Sequence, residues 1–207
     1  MRIIFPTLKK NPNAKVLQLD TVYNDVSNGP FMQTFKFIKY NFLFSLLHQT
    51  KDSASMNKGI LMLEEILGSD LFNREAEVLL TDRGSEFMAL RDIEFREDGS
   101  RRFRLFYCDP MQSCQKGSLE NNHIELRYIL PKETDLRDLG LTSQHAMNSV
   151  LSHVNSFPKE NLDGKSSFEV LQFFNKELMD KFLAFGLEMI KFEKLILKPY
   201  LLKSLKK

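Results

Sequence analysis

Tryptophan is absent from this 207-residue chain, cysteine occurs only twice, and no apolar run approaches the length of a membrane span. Cys108 and Cys114 lack the spacing of a paired-cysteine zinc motif. Two thiols, with too short an apolar stretch in the opening MRIIFPTLKK for a secretory signal, point to a reduced, cytoplasmic setting. A dominant charge is missing too. Lys and Arg number 29 against 27 Asp and Glu, and a net +2 does not by itself argue for a nucleic-acid partner. What is present is ordinary globular material: 43% hydrophobic and 27% charged residues, enough for one substantial core. The cations gather at the ends, at Arg2, Lys9, Lys10 and Lys15, and again at Lys194, Lys198, Lys203, Lys206 and Lys207. Basic ends suit phosphate contacts, although solvated tails produce the same pattern. The 18 Phe residues carry no functional signal.

Periodicity divides the chain. Residues 1–14 read as a basic arm, 15–157 as a core and 158–207 as a helical extension with a basic tail. VLQLDTV (16–22) reads as a short strand, followed by turn chemistry in SNGP (27–30). FMQTFKFIK (31–39) and NFLFSLLH (41–48) read as an antiparallel pair around Tyr40-Asn41. Met56, Ile60, Leu63 and Leu67 mark one helix face, with Ser53 or Ser55 as cap and Gly68 as terminator. VLL (78–80) and RFRLFYCD (102–109) read as further strands, with a helical start in EFMALRDIEF between them. Helices are expected over 119–130, 141–157 and 166–186. Three strands before a helical crossover predict an α/β fold, a mixed sheet flanked by helices.

Three acids stand where apolar runs meet turns or helix starts: Asp20, Asp82 and Glu120. Singly, each has an ordinary explanation. Asp20 can be solvated at a strand end, Asp82 precedes Arg83-Gly84 as in many turns, and Glu120 complements a helix dipole. Together, two strand-borne aspartates and a helix-borne glutamate fit a two-metal phosphodiester site, with ions about 3.5–4 Å apart. Hard Mg²⁺ takes a few carboxylates and keeps positions for water and phosphate oxygen.

LQLDTV, LLTDRGSEF, FYCDPMQSCQKGSLENNHIELRYILPKETD and NSFPKENLDGKSSFEVL, in that order, resemble the DDE catalytic core of bacterial insertion-sequence transposases. The match is to the "thirty" family, within the retroviral-integrase superfamily. The resemblance implies a ribonuclease-H-like fold with Asp20, Asp82 and Glu120 as the catalytic, metal-holding triad. It implies two Mg²⁺ or Mn²⁺ ions, cleavage at transposon ends, and attack of the freed 3′-hydroxyl on target DNA. It further implies DNA and a second copy of the chain as partners, no membrane, and a bacterial, nucleoid-associated location. The chain departs from the family pattern at Arg83, where Asn is usual, and at Glu133, where Gly is usual. The helix-turn-helix region that precedes the core in that family is not in the sequence, so a truncated transposase is expected.

Around the triad, Lys116, Arg127 and Lys132 are candidates for DNA-backbone contacts, and Asn121 and His123 for phosphate or metal-bound water. Asn122 can do the same, and Asn122 and His123 can equally well be plain helix-surface residues. Glu86 reads as a supporting acid rather than a ligand, and His145 and His153 as structural or surface residues. Two other functions stay open: a catalytically inactive DNA-binding or dimerising remnant, and a host nuclease of the same fold.

Overall fold

The computed structural model describes residues 11, 13–25, 27–108 and 117–204, excepting the side chains of 117–122 and 204. Five strands form one sheet: β1 (Val16–Val22), β2 (Phe31–Phe37), β3 (Phe42–His48), β4 (Val78–Thr81) and β5 (Arg104–Tyr107). Their order is β3-β2-β1-β4-β5, antiparallel through the first three and parallel from β1 to β5. The expected mixed sheet is therefore present. Asn41, at φ 51°, makes the β2–β3 turn in the left-handed conformation that asparagine tolerates.

Helices follow: α1 (Ser53–Leu67), α2 (Ser69–Glu75), α3 (Gly117–Ile129), α4 (Leu136–Leu139), α5 (Gln144–Ser156), α6 (Ser167–Phe174), α7 (Lys176–Ala184) and α8 (Leu201–Ser204). Several expectations need correcting. The cap of α1 is Asp52, whose carboxylate accepts from the Ser55 N–H, rather than Ser53 or Ser55. EFMALRDIEF forms a 3₁₀ run, Ser85–Ile93. The single helix expected over 166–186 breaks at Asn175, whose side chain caps Leu178 and donates to Glu75 Oε1 at 2.8 Å. That residue leaves helical geometry because its amide is used between elements.

Two periods of the sheet point to opposite faces. On one, Leu17, Leu19, Phe35 and Phe37 are fully or almost fully buried. Phe182 of α7 stacks on Phe42 at 5.0 Å and meets Phe37 and Phe44, so the phenylalanine excess is core. Segment 158–207 thus contributes Phe168, Leu171, Leu178 and Phe182 to the same apolar cluster as the sheet. On the other face lie Gln18, Asp20, Thr34 and Lys36, the side that receives α3. Lys36 is fully buried and donates to Asn41 Oδ1. Burial, reinforced by nearby Lys159, pushes its pKa well below the ordinary amine value.

The outer edge of β3 is closed by side chains. Asn155 of α5 accepts from the Leu43 N–H at 2.9 Å and donates to the Leu43 carbonyl at 2.7 Å. Gln144 does likewise with the Leu47 N–H and Ser45 carbonyl, each at 2.9 Å.

Two outcomes follow from this packing. A Cβ on Gly59 would lie 1.8 Å from Gln33 Oε1, which bonds His48, while Gln33 Nε2 donates to the Met56 carbonyl. Gly59→Ala gains about 1 kcal/mol of helix propensity but forces this buried amide aside. A net destabilisation of about 1–3 kcal/mol is expected in urea unfolding.

The second outcome concerns His153, whose Nδ1 accepts from the Ile196 N–H at 3.1 Å and whose pKa burial lowers. Burial, and then Lys58, lowers His48 as well. Both contributions are complete above the unfolded value of about 6.5 and fade as pH falls towards the folded values, because the unfolded chain takes up protons more readily. The urea midpoint should therefore drop between about pH 7.5 and 5.5, and His153→Gln should narrow the difference.

Candidate active site

β1 and β4 lie side by side and parallel, with Gln18 level with Leu80. Two residues further along each chain come Asp20, still inside β1, and Asp82, one residue past the end of β4, so the register leads both towards the same edge of the sheet. Asp20 shares the sheet face of Thr34 and Lys36. The C-terminal rim of parallel strands is where open α/β sheets present functional groups. Parallel pairing, needing a crossover between the strands, is what unites residues so distant in sequence.

Local backbone donors orient each carboxylate. Asp20 Oδ1 accepts from the Thr21 N–H at 2.9 Å, and Asp82 Oδ1 from the Gly84 N–H at 2.9 Å. Gly84 is required by close approach: a Cβ there would sit 2.6 Å from Glu86 Oε2 and 3.1 Å from Asp82 Oδ1. Glu86, expected as a supporting acid, is buried and pairs with Lys51 at 3.1 Å. Lys51 also lies over the Tyr23 ring and donates to its hydroxyl at 3.3 Å. Burial works against the Lys51 ammonium, but Glu86 and Tyr23 outweigh it and raise its pKa. Tyr23 follows Asp20 by three residues and Glu86 follows Asp82 by four, so Lys51 ties together the segments that follow the two aspartates.

The third acid belongs to α3, which contains Glu120 and Asn121, although their side chains lie outside the described residues. Lys116 lies outside them altogether. His123 of α3 reaches Thr34, the cross-strand partner of Asp20, at 3.3 Å. Thr34 Oγ1 donates in turn to the Asp20 carbonyl at 3.2 Å.

His123, Arg127 and Lys132 all line one groove of about 780 Å³, together with Tyr23, Asn24, Ile124 and Tyr128. Lys132 is exposed on its rim. Arg127 is half-buried, and burial lowers its pKa. Its guanidinium donates to Asn24 Oδ1, to the Leu130 carbonyl at 3.3 Å and to the Tyr23 carbonyl at 3.2 Å. Sequence reasoning passed over Thr34, Asn24 and Lys51. The signal available for Thr34 was a polar residue inside a strand otherwise suited to complete burial; Asn24 and Lys51 sit in loops without a pattern.

Among the described residues, no group of three His, Cys, Asp or Glu side chains is arranged to hold a metal. The donor set at Asp20 and Asp82 is oxygen only, and hard divalent cations prefer that chemistry over soft thiolate or imidazole sets.

No family model matches the chain. Transposase InsI for insertion sequence element IS30A of Escherichia coli (strain K12) is 30% identical over 122 residues, 59% of this chain and 29% of the relative. The transposase for insertion sequence element IS1086 of Cupriavidus metallidurans is 35% identical over 95 residues, 46% of this chain and 26% of the relative. The chain therefore spans under a third of the length of these relatives. Among solved structures, the catalytic core domain of BIV integrase superposes with a TM-score of 0.56 at 15% identity, over 84% of this chain and all of that one. The HTLV-2 integrase catalytic core domain in complex with magnesium gives 0.50 at 15% identity, over 76% and 95%. The chain is thus similar in sequence to insertion-sequence transposases of the IS30 kind, and it takes the ribonuclease-H-like fold of a retroviral-integrase catalytic core.

Proposed function

We propose that this chain is the DDE catalytic core of a DNA transposase, with Asp20, Asp82 and Glu120 holding two Mg²⁺ or Mn²⁺ ions. The observation that supports this reading is the parallel register of β1 and β4, paired as far as Gln18 and Leu80, from which Asp20 and Asp82 each follow by two residues, with α3 packed on the Asp20 face of the sheet. Glu120 stands in the first turn of α3, three residues ahead of His123, and positions three apart share a helix face. When bound, the ions would activate the attacking oxygen and stabilise the leaving one in an in-line displacement at phosphorus. The chain's own part is orientation. The N–H groups of Thr21 and Gly84 aim the two aspartates, and Lys51, between Tyr23 and Glu86, keeps the segments that follow them together.

The substrate on this reading is DNA: transposon ends are cleaved and the 3′-hydroxyl is transferred into a target. Lys132 on the groove rim supplies a cation for phosphate. Similarity to two transposases and fold likeness to integrase cores support the same substrate class. A homo-oligomer in the bacterial cytoplasm, at the nucleoid, accords with that activity. Among the described residues, no helix is long and apolar enough to cross a membrane.

The test is nicking of a duplex carrying the matching transposon end, in Mg²⁺ or Mn²⁺. Asp20→Asn and Asp82→Asn should each lose several kcal/mol of transition-state stabilisation, roughly 100-fold or more in rate. Nicking that survives either substitution, or persists in a chelator, overturns the assignment. DNA binding without metal-dependent nicking points instead to an inactive remnant that competes for transposon ends.

A further inference from the structure

We infer that Lys159 is a positioning residue for the metal site, fixing the Glu120-bearing helix α3 from its far flank through Glu125. The inference rests on the catalytic reading above and adds a role for the loop 158–166, which that reading leaves without one.

Leu126 and Ile129, continued by Leu130, are the buried stripe on which α3 lies. At about 3.6 residues per turn, positions 120, 123 and 127 fall on one flank of that stripe and Glu125 on the other. Apolar burial holds a helix down but resists its rolling only weakly, because it is not directional. On the Glu120 flank, His123 opposes rolling through Thr34. On the Glu125 flank the contact is the Lys159 ammonium, which donates to Glu125 Oε2 and to the Val154 carbonyl at 3.4 Å. One contact on each flank sets the roll of the helix, and the roll decides where its first turn aims.

Lys159 can bear on α3 because its own backbone is fixed. Its N–H donates to the Lys165 carbonyl at 3.0 Å, and its carbonyl accepts from the Leu162 N–H at 3.1 Å and the Gly164 N–H at 3.0 Å. Pro158 and Ser166 bridge the two ends of the loop. The loop is in turn fastened to the β2–β3 turn. Ser167 Oγ donates to the Asn41 carbonyl at 2.7 Å, and Asn41 Nδ2 to Asn161 Oδ1 at 3.4 Å.

The pair is enclosed, with the Lys159 side chain 4% exposed and that of Glu125 19%. Lys36, fully buried on the Asp20 face of the sheet, lies within electrostatic reach of both. Moving α3 off this contact would leave an enclosed charge without its counterion, a far larger penalty than loss of an exposed pair.

Direct Mn²⁺ titration of the full chain without DNA, followed by electron paramagnetic resonance, reads the metal site without requiring turnover. The full chain should bind Mn²⁺, and Asp20→Asn should weaken that binding. Lys159→Met and Glu125→Gln should each weaken it about tenfold, the lower end of what loss of a ligand-orienting group costs. The signs separate positioning from simple charge. Removing a cation would by itself tighten Mn²⁺ binding, whereas removing an anion would loosen it. The double variant Lys159→Met/Glu125→Gln should bind no more weakly than the worse single, because the two side chains act as one contact. Leu178→Ala, a core truncation on α7 against the opposite face of the sheet, should lower the urea midpoint and leave Mn²⁺ affinity unchanged.

Unchanged or tighter binding in Lys159→Met, losses that multiply in the double variant, or an equal loss in Leu178→Ala overturns this inference alone. A full chain that binds Mn²⁺ no better than Asp20→Asn overturns the catalytic reading, and this inference with it. Lys159→Gln, which keeps a donor for Glu125, is expected to show the same direction of change if Lys159→Met does not fold. Loss of fold in both variants overturns the inference, because the pair would then determine stability rather than the placement of α3.

Discussion

Parallel pairing of β1 with β4 is the constraint on which the site depends. Antiparallel neighbours can be joined by a tight turn, whereas parallel ones need a crossover. Here the crossover includes α1 and α2, and its return sets Leu80 level with Gln18, two residues before Asp82 and Asp20. Slipping that register by one residue would turn one aspartate to the opposite face, towards α1 and the phenylalanine core. The apolar residues of β1 and β4 therefore do two things: they bury the sheet, and in burying it they fix which way the acids face.

The helix that completes the arrangement is held by a different kind of force. Leu126 and Ile129 anchor α3 in the core, but apolar contact alone is poorly directional. Direction comes from half-buried polar groups of the helix: His123 on Thr34, Arg127 on the loop after β1, Glu125 with Lys159. An unmet partner in such surroundings is expensive, so each of these contacts discriminates strongly against alternative placements. Segment 155–171, which carried part of the likeness to transposases, is largely structural. Asn155 covers a strand edge, Lys159 holds α3, and Ser166 forms a capping box with Glu169.

The strand positions along the chain, the Asn41 turn and the mixed sheet are legible because each leaves a local signature: alternation, turn residues, a change of period. The break at Asn175 was not, since Leu171, Leu178 and Phe182 keep helical spacing across it and its cause lies at Glu75, 100 residues away. The site shows the same division. Asp20 and Asp82 stood out as polar endings of apolar runs, but their adjacency required the β1–β4 register. The position of Arg127 after Glu120 on one helix face marks it as a candidate phosphate contact, and its hydrogen bonds within the fold come in addition. Its partners, Tyr23 and Asn24, lie more than 100 residues upstream and leave no trace in local spacing.

The closed edge of β3 carries a consequence for how copies of this chain meet. An outer strand ordinarily offers a row of N–H and C=O groups on which another chain can lengthen the sheet. Asn155 and Gln144 answer those groups at Leu43, Ser45 and Leu47 with side-chain amides, acting as two rungs of a sixth strand that has no backbone of its own. Association through this edge must first evict α5. Sheet-to-sheet growth between copies is thereby closed on that flank, whatever brings the copies together.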